Sequence, residues 1–396
     1  MMKAVLRIDE KSALSIRGKT LLQWNLDNLL AQGFDQIFLL GLLDPKFDDQ
    51  EVVFLQDPGL GSAGCFHLLS KKLKSDFLYI PEPRFFDINF KRLFAFHKKK
   101  GSTLTVVGGP TLEKLPLLDA FDQDVLISDE ADPEQWPEFR ANIHDLGIYV
   151  VSSDFPESFE EPEEVDFYEG ILQPTLSLGA AFLYRTSEYI KPLTDIEKIE
   201  KDIDRDLPKK RNLSNPQKAI FLDRDGTINH FGAFVVKAEM LKLEPGSAEA
   251  IALIDDSEYL PICATNQPIV ERGETTLEEL ERTHARMASL LEKEGAYLQD
   301  LYFCPHNIDH TKMWNAYCEC RKPKIGMLLK AKERYNIDLS QSWFIGDTTQ
   351  DVQTGLNAGC HTVLLLSGDP KPAKRFAEAK PELTCFNLLE AIKKIL

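Results

Sequence analysis

Residues 218–229 read KAIFLDRDGTIN, and this stretch decides how the second half of the chain folds. Its apolar run has the length of a buried strand, and two carboxylates, Asp223 and Asp225, follow where that strand ends. Gly226 then lets the loop turn sharply. Paired carboxylates suit a hard cation such as Mg²⁺, or a nucleophile beside a proton-transfer group. Because two aspartates this close also occur in ordinary loops, the interpretation depends on the other strand ends.

Strand-like and helix-like segments alternate after this run. The strand-like runs are 259–264, 300–304, 342–346 and 362–366, and the helical patterns are 247–254, 276–293, 326–335 and 351–358. This alternation predicts a parallel sheet covered by helices on both faces, with ligands beyond the carboxyl ends of its strands. The first half starts with a strand-like run at 3–8, an amphipathic stretch at 20–32 and a strand at 36–40, so it is also predicted to be α/β.

The other predicted strand ends carry complementary chemistry. Thr265 and Asn266 end the second strand, and Asp347 and Asp351 follow the fourth. Arg321 and Lys322 lie on a nearby loop that Pro323 makes more rigid. Acids, a hydroxyl, an amide and cations therefore gather where the fold predicts the site, which disfavours coincidence.

A second set of residues has the spacing of a metal site. Cys304 and His306 form one pair, and after eleven intervening residues Cys318 and Cys320 form another. Three cysteines and one histidine make a closed tetrahedral zinc site of structural type. We therefore expect zinc to hold the loop that presents Arg321 and Lys322, with buried reduced thiols as the alternative.

The sequence DRDGT, a threonine at the second strand end, a lysine and GDxxxD resemble the four motifs of the haloacid dehalogenase-type phosphatases. The resemblance implies that Asp223 is the nucleophile that forms an aspartyl-phosphate and that Asp225 is the acid and base. It further implies that Thr265 and Lys322 hold the phosphoryl group. Mg²⁺ would be bound by Asp223, the carbonyl of Asp225 and Asp347, with Asp351 in support. The chemistry agrees, since phosphoryl transfer needs positioning and charge neutralisation.

Within that superfamily, the motifs DRDGTIN, TNQ, CPH, CxCRKPK and IGD resemble the histidinol-phosphatase and heptose-bisphosphatase branch from residue 218 to about 368. The loop at 270–273 is similar to the bisphosphatase version. It implies hydrolysis of D-glycero-D-manno-heptose 1,7-bisphosphate at the 7-position, in nucleotide-sugar or polysaccharide biosynthesis. Asn266, Arg272 and Arg321 are the expected substrate contacts. Pro268, Ile269 and Thr348 depart from that branch, which bears on the choice of sugar phosphate.

Residues 2–205 faintly resemble a sugar-phosphate nucleotidyltransferase, through MKAVL at the start, residues 16–19 (IRGK), 61–64 (GSAG) and 147–150 (GIYV). The glycine-rich phosphate loop of that family is missing after the first strand, and Glu82 lies between two prolines where a metal-binding aspartate is usual. We therefore predict a degenerate domain over 1–205, a linker at 206–217 and a phosphatase domain over 218–396. The first domain would capture substrate, regulate the phosphatase or form oligomers.

Composition narrows the class of protein. A chain of 396 residues with 43% hydrophobic content has material for two cores. A net charge of −17 argues against coating nucleic acid or an anionic membrane, and most of the excess lies in residues 119–169, with 17 acids and one base. We read that stretch as a solvated acidic face. Seven sparse cysteines, no secretory leader pattern and no spanning run predict a cytoplasmic protein with reduced thiols.

Three alternatives to the heptose bisphosphatase stay open at this point. Histidinol phosphatase is a second hydrolase reading, against which the loop at 271–273 speaks. A bifunctional enzyme whose first half still transfers a nucleotide would need the missing glycine-rich loop. A scaffold without activity would have no use for the set Asp223, Asp225, Thr265, Lys322 and Asp347.

Overall fold

The structure is a computed structural model that describes residues 2–42, 44–45, 49–70, 72–112, 115, 143–155, 164–178, 180–307, 318–366, 376 and 378–396. Its internal contacts divide the described chain into two units, with the division between Asn212 and Leu213. Most of the predicted acidic face at 119–169 lies outside the described residues.

The first unit is built on a seven-stranded sheet in the order β10-β8-β9-β6-β1-β4-β5. Its strands are parallel except β9, which is antiparallel to both β6 and β8. The strands of this unit are β1 (Met2–Arg7), β2 (Ser15–Ile16), β3 (Lys19–Thr20), β4 (Phe34–Gly41), β5 (Val52–Gln56), β6 (Phe77–Ile80), β7 (Phe85–Asp87), β8 (Leu104–Gly109), β9 (His144–Val151), β10 (Ala181–Arg185) and β11 (Tyr189–Lys191). The prediction of a mainly parallel α/β domain is confirmed for this half.

Helices cover this sheet, and the first of them begins at a capping threonine. The helices are α1 (Leu21–Ala31), α2 (Phe66–Ser70), α3 (Phe90–Lys100), α4 (Gln173–Ser177), α5 (Ile196–Asp204) and α6 (Leu207–Arg211). Thr20 accepts a hydrogen bond from the amide of Gln23, which satisfies one of the free N–H groups at the start of α1. Leu22, Leu26 and Leu29 of α1 are buried in one core with residues of the sheet, and their helical spacing places them on one face of the helix. Leu21 is also buried, in a second core with Phe85 and Tyr189.

Side-chain and backbone contacts occupy the carboxyl end of β1 in the first unit. Arg7 pairs with Asp57 at 2.8 Å, and the amide of Ile8 donates to the carbonyl of Leu40. A short 3-10 turn capped by Asp9 follows, without any glycine. The position where the resemblance would place a phosphate loop is therefore taken up by an ion pair and a capped turn.

The second unit is a six-stranded sheet, all parallel, in the order β14-β13-β12-β15-β16-β17. Its strands are β12 (Lys218–Leu222), β13 (Tyr259–Asn266), β14 (Asp300–Cys304), β15 (Trp343–Gly346), β16 (His361–Leu365) and β17 (Leu383–Cys385). Its helices are α7 (Ser247–Asp255), α8 (Leu277–Lys293), α9 (Gly326–Tyr335), α10 (Thr349–Ala358) and α11 (Leu388–Ile395). The predicted parallel sheet is confirmed.

The unbroken apolar run of β12 follows from burial on both faces of the sheet. Ile220 and Leu222 pack into a core with residues of α7, α8 and α11, while Ala219 and Phe221 pack into a second core with residues of α9. All four side chains are fully buried. Successive strand residues point to opposite faces, so a strand covered on both sides has no position left for a polar residue.

The predicted linker at 206–217 has helix α6 in its first half. Pro208 stands in the first turn of this helix, where the absence of an N–H carries no penalty. Leu207 packs with Phe85, Tyr189 and Ile199 in the first unit. The beginning of the polar stretch is thus structured, and the division of the chain falls after it. Among the described residues, no helix has the length and apolar character needed to cross a bilayer.

Candidate active site

Three buried carboxylates meet where strands of the second unit end. Asp223 follows β12 and Asp347 follows the neighbouring strand β15, while Asp351 lies in the first turn of α10. Each can offer an oxygen that lies within 4.8 Å of the oxygens offered by the other two. From the sequence we expected these acids to lie together at one edge of the sheet, and the structure places them there.

Lys322 lies among these acids. Its Nζ is 2.7 Å from Oδ1 of Asp223 and 2.6 Å from Oδ1 of Asp351, and only 2% of its side chain is exposed. Burial alone would lower the pKa of Lys322, but the two carboxylates outweigh it and raise the pKa. The two carboxylates therefore favour the charged form of this ammonium group.

The acidity of Asp223 is strongly perturbed. Burial raises its pKa to about 7, with Asp351 and Asp225 adding to the rise and Lys322 opposing it. The carboxylate is thus destabilised by its surroundings, and a further positive charge beside it would favour the ionised form. Perturbation of this size at a strand end is typical of functional sites.

Asp225 has the opposite environment. Arg224 donates to it from Nε and Nη2, Asn229 donates from Nδ2 at 3.0 Å, and Gln267 donates from Nε2 at 2.8 Å. Burial would raise the pKa of Asp225, but the charge of Arg224 and these hydrogen bonds lower it. The pKa values of two carboxyl groups two residues apart are therefore shifted in opposite directions, upward for Asp223 and downward for Asp225, whose ionised form is favoured.

Two glycines make room for the acids. Gly226 has a φ of +79°, and a Cβ there would clash with the carboxylate of Asp347. A Cβ at Gly346 would in the same way meet the carboxylate of Asp351. Four carboxylates, those of Asp223, Asp225, Asp347 and Asp351, are gathered around the two cations Lys322 and Arg224, which leaves negative charge that a divalent cation would balance.

Asn266 and Thr265, both predicted at the site, end β13 beside these acids. The amide of Asn266 is bonded to the loop of Lys322: its Oδ1 accepts from the backbone N–H of Lys322 at 3.0 Å. Its Nδ2 donates to the carbonyl of Lys322 and to Gln350. Thr265 is buried, and its Oγ1 accepts from Gln267 at 3.0 Å. Asn266 thus fixes the lysine loop to the strand end.

The two predicted substrate arginines are bonded to the Cys/His loop. Arg272 donates from Nε to Oδ1 of Asn307, and its guanidinium lies 5.5 Å from the ring centroid of Phe234. Arg321 donates from Nη1 to the carbonyl of His306 at 2.7 Å. The contacts described for the two arginines therefore lie at this loop and at Phe234.

The four predicted zinc ligands are brought together. The Sγ atoms of Cys304, Cys318 and Cys320 and Nδ1 of His306 all lie within 4.8 Å of one another. The shortest separation of two sulfurs is 2.7 Å, well beyond the S–S bond length of about 2.05 Å, so these cysteines are not joined by a disulfide. Three sulfurs and one ring nitrogen around one point are the donor set of a closed zinc site.

Four polar residues of the site were missed from the sequence. Three of them lie within the motifs DRDGTIN and TNQ, so their place in these motifs was a sequence signal: Arg224, Asn229 and Gln267. In the structure all three donate hydrogen bonds to Asp225. His284, on α8, accepts a hydrogen bond from Nη1 of Arg224 at 3.2 Å. It is 60 positions away and is surrounded by core residues of the helix, so it carries no local signal.

This fold and this set of side chains define a phosphatase of the haloacid dehalogenase type, and comparisons with known proteins agree. The family model described as HAD-hydrolase-like matches residues 319–391. The D-glycero-β-D-manno-heptose-1,7-bisphosphate 7-phosphatase of Pseudomonas putida is 36% identical over 181 residues, which are 45% of this chain and 99% of the relative. The corresponding α-D-manno-heptose enzyme of Campylobacter jejuni is 37% identical over 163 residues, or 41% of this chain and 90% of the relative. The chain belongs to the haloacid dehalogenase-like phosphatase family and is a phosphoester hydrolase.

Solved structures are similar to each half of the chain. The crystal structure of D,D-heptose 1,7-bisphosphate phosphatase from B. bronchiseptica, complexed with magnesium and phosphate, has a TM-score of 0.41 and 32% identity, covering 45% of this chain and 98% of its own. For the first half, a putative glucose-1-phosphate thymidylyltransferase from Bacillus anthracis has a TM-score of 0.36 and 11% identity, covering 46% of this chain and 86% of its own.

Proposed function

We propose that the second unit hydrolyses D-glycero-D-manno-heptose 1,7-bisphosphate at the 7-position, through an aspartyl-phosphate on Asp223. The observation that carries the proposal is the contact of Asp223 with Lys322, beside Asp347 and Asp351. A nucleophilic carboxylate, a fixed cation for phosphoryl oxygens and further acids for a metal ion are the parts that phosphoryl transfer requires.

The two steps divide between the two perturbed aspartates. In the first step, a carboxylate oxygen of Asp223 attacks phosphorus and the bond from phosphorus to the sugar oxygen breaks. Asp225 gives a proton to that leaving oxygen from its protonated form, which is the minor form because the pKa of Asp225 is lowered. In the second step, Asp225 takes a proton from water while the water oxygen attacks the phosphorus of the aspartyl-phosphate. Phosphate leaves, Asp223 is restored and Asp225 is again protonated.

Lys322 and Thr265 have the chemistry to hold the phosphoryl group during both steps. The charged form of Lys322 is favoured and its ammonium group contacts Asp223, while Thr265 lies next to the last residue of the neighbouring strand β13. Asp351 orients Lys322 through one oxygen, while its other oxygen accepts from the N–H and hydroxyl of Thr348 and so caps α10.

Mg²⁺ is the metal that this donor set fits, because hard carboxylate and carbonyl oxygens surround an excess of negative charge. Asp223, the backbone carbonyl of Asp225 and Asp347 would hold it, with Asp351 in support. When bound, it would neutralise phosphoryl oxygens and favour the ionised form of Asp223.

Zinc bound by Cys304, His306, Cys318 and Cys320 would be structural. Cys320 directly precedes Arg321 and Lys322 in the chain, and the carbonyl of His306 accepts from Arg321. A metal at these four ligands would therefore fix both the lysine loop and the arginine, without an open position for catalysis.

The choice of substrate rests on the relatives, whose names specify heptose 1,7-bisphosphates of both anomers. Arg272 and Arg321 are proposed to bind the part of the sugar phosphate away from Asp223. Asn266 is better placed to hold the Lys322 loop, as its hydrogen bonds go to that loop. Pro268, Ile269 and Thr348 distinguish this chain from the branch pattern and would adjust this distal region.

We further infer that the first unit transfers no nucleotide, since Arg7 and Asp57 pair at the end of β1 and no glycine follows that strand. Release of pyrophosphate from a nucleoside triphosphate and a sugar phosphate, or saturable binding of a nucleoside triphosphate, would overturn this. Such a result would support the bifunctional alternative.

The test of the proposed function is phosphate release with Mg²⁺ over a panel of substrates. The panel contains both anomers of heptose 1,7-bisphosphate, fructose 1,6-bisphosphate, histidinol phosphate and glycerol phosphate. The largest kcat/KM is expected for one heptose anomer. A larger kcat/KM for histidinol phosphate would replace the proposal with the histidinol-phosphatase alternative, and Asp223→Asn, the matched control, should release no phosphate.

A further inference from the structure

Arg224 stands between the two catalytic aspartates in sequence, yet none of its side chain is exposed. One edge of its guanidinium faces Asp225, with Nη2 2.9 Å from each carboxylate oxygen and Nε 3.2 Å from Oδ1. Its remaining terminal nitrogen, Nη1, lies 3.2 Å from Nε2 of His284. The guanidinium is thus held between a carboxylate on one side and an imidazole on the other.

The chemistry of the pair fixes the state of His284. A guanidinium has only donors, so Nε2 of His284 must be the acceptor and cannot carry a proton. Burial lowers the pKa of His284 well below its usual value, and the positive charge of Arg224 lowers it further. His284 is therefore neutral, with any ring proton on Nδ1.

The position of His284 in α8 is one where an apolar side chain would be expected. The helix buries Leu280, His284, Met287 and Leu291 at helical spacing toward the core, and the imidazole lies 5.1 Å from the ring of Phe303. A carboxylate at this place would neutralise Arg224 and draw it away from Asp225. A neutral acceptor holds the guanidinium and leaves its charge for Asp225.

We propose that His284 is a positioning residue for proton transfer, which holds Arg224 in the orientation that fixes the carboxyl group of Asp225. The proposal rests on the proposed function, in which Asp225 protonates the leaving oxygen. His284 touches no reacting atom, and its effect should depend on how much the leaving group needs a proton.

The experiment compares two leaving groups in the full-length protein with Mg²⁺. One substrate is the alkyl phosphate that the wild-type protein hydrolyses fastest in the panel, and the other is p-nitrophenyl phosphate, whose leaving group departs without protonation. Because kcat/KM reports the steps up to loss of the leaving group, His284→Leu should lower it about tenfold or more for the alkyl phosphate, a part of what general acid catalysis contributes. For p-nitrophenyl phosphate, the change should be about twofold or less.

Two further variants separate positioning from packing. His284→Gln restores an acceptor for Arg224 and should return the alkyl phosphate kcat/KM to within about threefold of the wild type. Met287→Leu, a core change on the same helix, should leave the ratio of the two kcat/KM values unchanged, whatever its effect on the melting temperature.

Equal losses for both substrates in His284→Leu, no loss for either, or a glutamine variant as impaired as the leucine variant would overturn the proposal. Failure of the wild-type protein to hydrolyse any alkyl phosphate would instead overturn the proposed function, and this inference with it.

Discussion

Gly226→Ala is the substitution that most sharply tests how the acid cluster is built. Gly226 has a φ of +79°, and a methyl group there would be forced against the carboxylate of Asp347. Gly295 is a matched control, because its φ is +77° and an added Cβ would meet no atom within 4 Å. Both alanine variants carry the backbone cost of a left-handed conformation, about 1–2 kcal/mol.

The difference in Mg²⁺ requirement between the two variants reports the effect of displacing Asp347. Gly226→Ala should raise the Mg²⁺ concentration needed for half-maximal phosphate release about 10–100-fold, the range seen when the surroundings of a ligand are disturbed. Gly295→Ala should leave that concentration unchanged while losing similar backbone stability. Titration of initial rates with Mg²⁺ gives both values. An equal Mg²⁺ requirement in the two variants would refute the placement of Asp347 at the metal.

Four other outcomes are expected. Lys322→Met strands two buried carboxylates, so it should cost about 3–5 kcal/mol of local stability; hydrogen exchange of the β12 amides would measure this, and unchanged protection would contradict it. Cys318→Ser should reduce bound zinc, measured by metal analysis, from one per chain to none. Burial lowers the pKa of His97, so the folded first unit binds fewer protons than the unfolded chain and should lose stability below about pH 6.5. In urea unfolding, His97→Gln should remove that loss.

The sheet of the second unit could be predicted because few other structures are compatible with the sequence of its strands. A run such as residues 219–222 of β12, which are all apolar and are followed by two acids, is typical of a strand buried on both faces. The predicted strand at 300–304 and the helix at 326–335 have the same bounds as β14 and α9. Parallel strand order then brings the strand ends together, which is why acids far apart in sequence could be assigned to one site.

What could not be predicted depends on contacts between distant side chains. The sequence around Arg224 gives no information about His284, because His284 lies on α8, 60 positions further along the chain, and contacts Arg224 only in the folded protein. The sequence predicts Asn266 as a substrate contact, and this stays a prediction; the hydrogen bonds of its amide to the Lys322 loop could not be predicted, because they join residues 56 positions apart. Helix α6 could not be predicted because its charged residues and proline are also typical of a linker. In the structure, Pro208 stands in the first turn of this helix, where a proline is tolerated.

The most direct test of the central claim is to follow hydrolysis of D-glycero-D-manno-heptose 1,7-bisphosphate by ³¹P nuclear magnetic resonance, with the wild-type protein and Asp223→Asn side by side. We predict that the 7-phosphate signal disappears as inorganic phosphate grows, that the 1-phosphate signal remains, and that the variant changes nothing. Loss of the 1-phosphate, or turnover by a folded Asp223→Asn protein, would contradict the account.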